Sequence, residues 1–452
     1  MAVLPAHREA DSPPAPDLAR RLGPLDVTLI VMGGIIGSGI FMNPTVVARQ
    51  VGTPFLILAA WVLGGLIALI GAFIYAELAA RRPDVGGQYA YLRDAWHPGL
   101  AFVYGWGLLL VTQSGGMAAV AITFARYFRE ISGVALPDGM TAALVLAVLT
   151  LVNVLGVRAG SAVQNTLMVL KILAIVTLVG AGLWLAPPPH GTASPLLDRP
   201  LSMGLLSAFG AALVPVMFAY GGWQTACFVA GEVREPRRFL PRGLVFGVLG
   251  VIALYVLVNI ACLRALGTAG LAASSAPASD VMRAALGERG ARVIAVGIAI
   301  STLGFLSQSM LTAPRVYYAM ARDGLFPSAI ARVHPGSRVP VQAIVLQGAI
   351  AIAIAWSGRY EQILSYVVAV DSIFFALAAC CVFVFRRRRP DAAMPVTTRV
   401  PGHPWTTGGF VLACALIVGN TVYRYPVESA IGLAILASGL PVFLLWRRRS
   451  RA

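Results

Sequence analysis

Apolar residues run in stretches of about 17 to 25 positions, bounded by clusters of Gly, Pro and Arg, long enough to cross a ~30 Å hydrocarbon layer as helices. A barrel strand needs only about 9 to 11 residues, so the pattern predicts a helical bundle. The stretches fall near 25–48, 55–79, 100–127, 140–157, 164–185, 204–230, 242–263, 291–314, 340–356, 363–385, 405–423 and 429–446. An all-α integral membrane protein with twelve transmembrane helices is expected.

Two spans do not read as plain helices. The first holds Gly33-Gly34-Ile35-Ile36-Gly37-Ser38-Gly39, and each glycine inside a helix costs about 1 kcal/mol relative to Ala. The sixth holds Pro215 and then Phe218-Ala219-Tyr220-Gly221-Gly222-Trp223. Interruptions at corresponding places in two halves point to inverted repeats, spans 1 to 5 and 6 to 10, with a substrate site at the midplane. The competing reading is helix packing, because Gly33 and Gly37 form a GxxxG pair and Gly34 and Ser38 a looser one. Packing alone does not require matching positions in the two halves.

Composition agrees with the pattern: 58% of the 452 residues are apolar and 12% charged, and mean hydropathy is +0.79. A water-soluble enzyme is excluded on those figures. The net charge of +16 would suggest nucleic acid in a soluble chain, but here the arginines lie between apolar runs and report topology. With the N-terminus inside, the inner segments carry 24 arginines and the outer ones 10, which places both ends in the cytoplasm and the protein in the cytoplasmic membrane. The expected organisation is a cytoplasmic tail at 1–24, a first five-helix repeat at 25–185, a second at 204–385, two added helices at 405–446 and a tail at 447–452. Residues 1–26 lack an apolar core with a cleavage site, so no signal peptide is expected. Cys227, Cys262, Cys380, Cys381 and Cys414 lie in or beside apolar runs without disulfide or zinc spacing. No ATPase, metalloprotease, hydrolase or haem motif is present, so secondary transport without a cofactor or metal is expected rather than catalysis.

The first-span Gly34-Ile35-Ile36-Gly37-Ser38-Gly39-Ile40-Phe41 and the sixth-span interruption resemble the amino acid, polyamine and organocation transporter superfamily, nearest to L-type carriers and bacterial amino acid permeases. Tyr75-Ala76-Glu77-Leu78, Gly86-Gly87-Gln88-Tyr89-Ala90-Tyr91, Val163-Gln164-Asn165 and Tyr318-Ala319-Met320-Ala321-Arg322-Asp323-Gly324 occur in the family's order. The resemblance implies the leucine-transporter fold, five plus five helices with helices 1 and 6 broken, plus two more. It also implies that the amides of Gly37, Ser38 and Gly39 hold a substrate carboxylate, as a helix N-terminus favours an anion. Carbonyls of Ile35, Phe218, Ala219 and Gly221 would hold the amino group. Phe218 matches the aromatic that closes over the substrate, against a simple packing role.

Lys171 is the single lysine beside 34 arginines and lies inside span 5, where ionisable residues are costly and usually functional. By resemblance it lies near spans 1 and 8, where sodium-coupled relatives bind an ion, which implies sodium-independent transport with Lys171 in an ion-coupling role. The alternative is a lysine snorkelling to the inner surface. Asp371 is the one acid placed well inside a span, with an ion-coupling, structural or cationic-substrate role open. Glu77 is expected to pair with Arg81 and Arg82, and 88–96 to form a cytoplasmic linker helix. Gln113, Ser114, Gly115 and Gly116 of span 3 and Ser301, Thr302, Ser307 and Gln308 of span 8 are candidates for the side-chain pocket, or for helix packing.

The expected function is alternating-access transport of neutral L-amino acids by proton symport or exchange. A cationic amino acid or polyamine carrier using Asp371, and a non-transporting sensor, are the alternatives. The expected partners are the amino acid substrate and the lipid bilayer, with no nucleic acid and no obligatory protein subunit.

Overall fold

The computed structural model describes residues 20–134, 136–187, 202–357, 360–388 and 398–449. Most of the tail expected at 1–24, and the last residues of the one at 447–452, lie outside them. Among the described residues the architecture is helical, with one isolated parallel bridge between Leu22 and Val233.

The first span is broken. Helix α1 (Pro24–Ile35) stops at the glycine-rich stretch and α2 (Gly39–Val51) resumes after three residues, with a bend of 43°. Helix α3 (Pro54–Arg81) starts cleanly because Thr53 accepts the Leu56 N–H and Pro54 occupies the first turn, where a missing N–H costs nothing. The short α4 (Gln88–Ala95) is the linker helix read from the sequence, although most of its residues are buried. Then α5 (Pro98–Gly107) runs through a π-helical turn, Leu108–Thr112, into α6 (Gln113–Ser132). Helices α7 (Asp138–Val154) and α8 (Val157–Gly180) follow.

The second break lies after α9 (Met203–Tyr220). Gly221 and Gly222 end that helix, and the chain continues as a 3-10 segment, Trp223–Glu232. Gly222 has φ +112°, and an added Cβ would run into the Gly34 carbonyl of the other broken span, so only glycine fits both the turn and the approach. Helices α10 (Pro236–Ala273), α11 (Pro277–Thr312), α12 (Pro314–Arg322), α13 (Val341–Ser357), α14 (Tyr360–Arg388), α15 (Trp405–Arg424) and α16 (Pro426–Arg449) complete the bundle.

Among the described residues nine helical stretches are long and apolar enough to cross a membrane, and the bent α1–α2 pair makes a tenth. The apolar helices α7 and α13 are shorter, at 17 residues each. The chain is a multi-pass membrane protein. Its outer surface carries the apolar side chains that a bilayer solvates: along α8, Val169, Leu173 and Val176 are exposed, whereas Gln164, Met168, Lys171, Ile175 and Leu178 face inward. That 3.6-residue stripe puts Lys171 on the buried face.

Between the seventh and eighth apolar runs, α10 extends to Ala273 and α11 starts at Pro277, with kinks at Gly267 and Gly287. Arg49 at the end of α2 caps it, donating to the Ala272 carbonyl at 2.6 Å and the Ser274 carbonyl at 3.0 Å. Glu77 pairs with Arg81 at 2.9 Å as expected, but its other partners are Arg386 at 2.7 Å and the Val400 N–H at 2.8 Å. Arg82 turns instead to Asp94, at 3.3 Å. Glu77 and Glu232, at the ends of their helical segments, are also fully buried. Arg315 is also buried and pairs with Glu232.

Candidate substrate site

A cavity of about 70 Å³ lies where the two broken spans meet, room for several waters where one needs about 15 Å³. Its wall brings together Ile35, Gly37, Ser38 and Gly39 from the first break and Phe218, Ala219 and Gly221 from the second. All seven residues singled out in the sequence for the head group therefore border one space. Because α2 begins at Gly39, its first N–H groups have no partner within the helix.

The breaks are clamped from both sides. A Cβ on Gly39 would lie 2.9 Å from the Ala219 Cα, so close approach of the spans alone demands glycine there. Asn43 of α2 donates to the Pro215 carbonyl of α9 at 2.7 Å. Tyr255 of α10 reaches both breaks, its hydroxyl 3.2 Å from the Ile35 carbonyl and 3.1 Å from the Ala219 carbonyl. Its single hydroxyl hydrogen serves one of the two at a time. An edge contact with Trp61 at 5.6 Å and a tilted contact with Tyr220 at 5.0 Å between ring centroids hold the phenol in place. Across the space, Gln308 donates to Thr225 Oγ1 at 2.7 Å, and Thr225 donates to the Gly222 carbonyl at 2.7 Å.

Lys171 does not border the cavity. It is fully buried behind the first break, where Nζ donates to the Ile36 carbonyl and lies 3.4 Å from the Gly33 carbonyl. These are carbonyls at the C-terminal end of α1, where the helix dipole favours a cation. The snorkelling alternative is thereby excluded. Asp371 of α14 does border the cavity and keeps part of its surface accessible.

Of the side-chain candidates, Gln113, Gly116 and Gln308 are on the wall. Gly115 is not, Ser301, Thr302 and Ser307 are buried elsewhere, and Ser114 faces α13. Sequence reasoning missed Thr112, Thr225, Phe305 and Ser372. Phe305 lies one turn before Gln308 and Ser372 follows Asp371, so helical spacing from those candidates pointed to them. Phe305 stacks against the first break, 3.3 Å from where a Gly37 Cβ would sit. Ser38 Oγ, Gln308 Oε1 and Ser309 Oγ on the wall are buried and make no hydrogen bond among the described residues.

A helical membrane bundle with a cavity where two broken spans meet has the architecture of a carrier. The chain belongs to the amino acid permease family, whose profile matches residues 22–443. It is 30% identical to the serine/threonine exchanger SteT of Bacillus subtilis, over 96% of this chain and 98% of that protein. It is also 30% identical to the mouse large neutral amino acids transporter small subunit 2, over 96% of this chain and 83% of that one. Identity to the human cystine/glutamate transporter is 26%, over 96% and 87%. Family and relatives are transporters, and the chain is a transporter rather than an enzyme.

Proposed function

We propose that this protein is a sodium-independent secondary carrier of neutral L-amino acids, working by alternating access as an exchanger or proton symporter. The observation that carries the reading is the convergence of both helix breaks on one cavity. The amides of Gly37, Ser38 and Gly39 bind the substrate carboxylate at the start of α2, and the carbonyls of Ile35, Phe218, Ala219 and Gly221 bind its ammonium. Phe218 closes over the bound amino acid. Sodium independence is supported by the Lys171 ammonium, which supplies a positive charge at the end of α1.

In this reading the ten long spans and the two 17-residue helices make twelve crossings. Residues 25–185 and 204–385 form the inverted repeats of a leucine-transporter fold, and 405–446 the two added helices. Both ends face the cytoplasm, and the carrier works in the cytoplasmic membrane without an obligatory partner subunit.

Asp371 favours a second reading, a carrier of cationic amino acids or polyamines, because a desolvated cation needs a partner and Asp371 is the acid on the cavity wall. Uptake of labelled alanine, serine, leucine and arginine into proteoliposomes separates the two. The first reading expects saturable uptake of neutral amino acids driven by a pH gradient or by internal amino acid, indifferent to sodium. Uptake confined to arginine would replace it with the second, and no uptake under any gradient would refute both.

A further inference from the structure

The cavity wall contributed by α6 depends on an irregularity. At Leu108–Thr112 the helix takes a π-helical turn, closed by the Gln113 N–H on the Leu108 carbonyl, five residues back. Such turns are rare, add one residue to the local repeat and recur at functional sites. The extra residue matters because each step around a helix is about 100°. Were the turn to relax to a regular helix, the chain on one side of it would rotate by that amount, and Thr112 and Gln113 would lose their present places beside Gly116 on the wall. Something must therefore hold the register.

The structure offers a buried chain of hydrogen bonds for that task. Tyr317 of α12 donates to Gln347 Oε1 of α13 at 2.5 Å. The other end of the same amide donates from Nε2 to Ser114 Oγ of α6 at 2.7 Å, and lies 3.5 Å from Met117 Sδ. Tyr317, Gln347 and Ser114 are all fully buried, so each polar atom depends on this geometry. Ser114 follows Gln113 directly and points about 100° away from it, toward α13 rather than the cavity. Apolar contact between α6 and α13 would tolerate a rotation of α6. A hydrogen bond from a doubly anchored amide does not, because it weakens steeply with angle.

We propose that Gln347, through Ser114, is a positioning residue for substrate recognition that holds the π-turn in register and so keeps Thr112 and Gln113 on the cavity wall. The proposal rests on the reading of the cavity as the substrate site. It concerns two residues that do not line that site, Ser114 on α6 and Gln347 on α13, a helix that contributes nothing to the cavity wall.

The test uses the full-length protein in proteoliposomes, with KM and Vmax for a transported amino acid and the thermal midpoint measured together. Ser114→Ala removes the tether and Ser114→Thr keeps a hydroxyl there. The triple variant Tyr317→Phe, Gln347→Met, Ser114→Ala makes the chain apolar throughout and leaves no buried polar atom stranded. The expected result is a KM raised about tenfold in Ser114→Ala and in the triple variant, with Vmax and the thermal midpoint of the triple variant close to the parent. Ser114→Thr retains the parent KM. A triple variant with the parent KM, or equal KM values for Ser114→Ala and Ser114→Thr, would overturn the proposal. If the parent protein takes up no amino acid at all, the reading of the cavity fails instead, an outcome distinct from an unchanged KM.

Discussion

Arg315 Nε lies 2.8 Å from Glu232 Oε1, and both side chains are shut off from solvent. The pair joins the end of the 3-10 segment that follows the second break to the start of α12. Just beside it, the Glu232 carbonyl accepts the Arg21 and Leu22 N–H groups at 2.8 and 2.9 Å, tying the chain before α1 to the same place. One end of each broken span, the start of α1 and the end of the 3-10 segment, is thus fastened at one residue.

Removing one member of a buried pair strands a charge, at a cost of about 3–5 kcal/mol, whereas removing both costs much less. Arg315→Gln is therefore expected to lower the thermal midpoint of the purified protein sharply. Glu232→Gln combined with Arg315→Gln should recover most of the loss. Equal destabilisation by the single and double changes would show that the pair does not act as a unit.

Tyr255→Phe deletes the hydroxyl shared by the Ile35 and Ala219 carbonyls and changes little else. Loss of one buried hydrogen bond is worth about 1 kcal/mol, and the stranded carbonyl adds about 1–3 kcal/mol. Since both carbonyls belong to the proposed ammonium site, weaker substrate binding is expected, read by titration of the purified carrier. Affinity equal to the parent would detach Tyr255 from that site.

Lys171→Ala should reduce flux by about tenfold or more while changing substrate affinity much less, because the ammonium holds the end of α1 rather than lining the cavity. Transport matching the parent between about pH 5 and 8 would remove Lys171 from any coupling role.

Two glycines should resist replacement for separate reasons. Gly222→Ala places a methyl group against the Gly34 carbonyl at a positive φ, and Gly39→Val forces a branched side chain onto the Ala219 backbone. Both variants are expected to lose binding. Retained affinity in Gly39→Val would contradict the close approach of α2 and α9.

Asp371→Asn distinguishes the two proposed substrates. A carrier of neutral amino acids keeps its KM for alanine and stays indifferent to arginine. Competition by arginine in the parent that vanishes in Asp371→Asn would favour the cationic reading.

A helical membrane protein with interruptions near 33–39 and 218–223 could be read from the residues alone. Length of apolar run, glycine clustering and proline position are local properties, and they act through local backbone energetics. The head-group candidates came from the family resemblance, whose motifs fall on those same interruptions, and all seven border one cavity. Which partners meet across the chain emerged with the fold. Asn43 finds Pro215 across 172 residues, Glu232 finds Arg315 across 83, and Ser114 finds Gln347 across 233. No local pattern specifies such pairs, because a buried polar side chain announces only that it needs a partner, not which one. Lys171 lies between the two cases: a lone lysine inside an apolar span was readable as costly, but its inward side and its contact with the carbonyls of Gly33 and Ile36 required the fold.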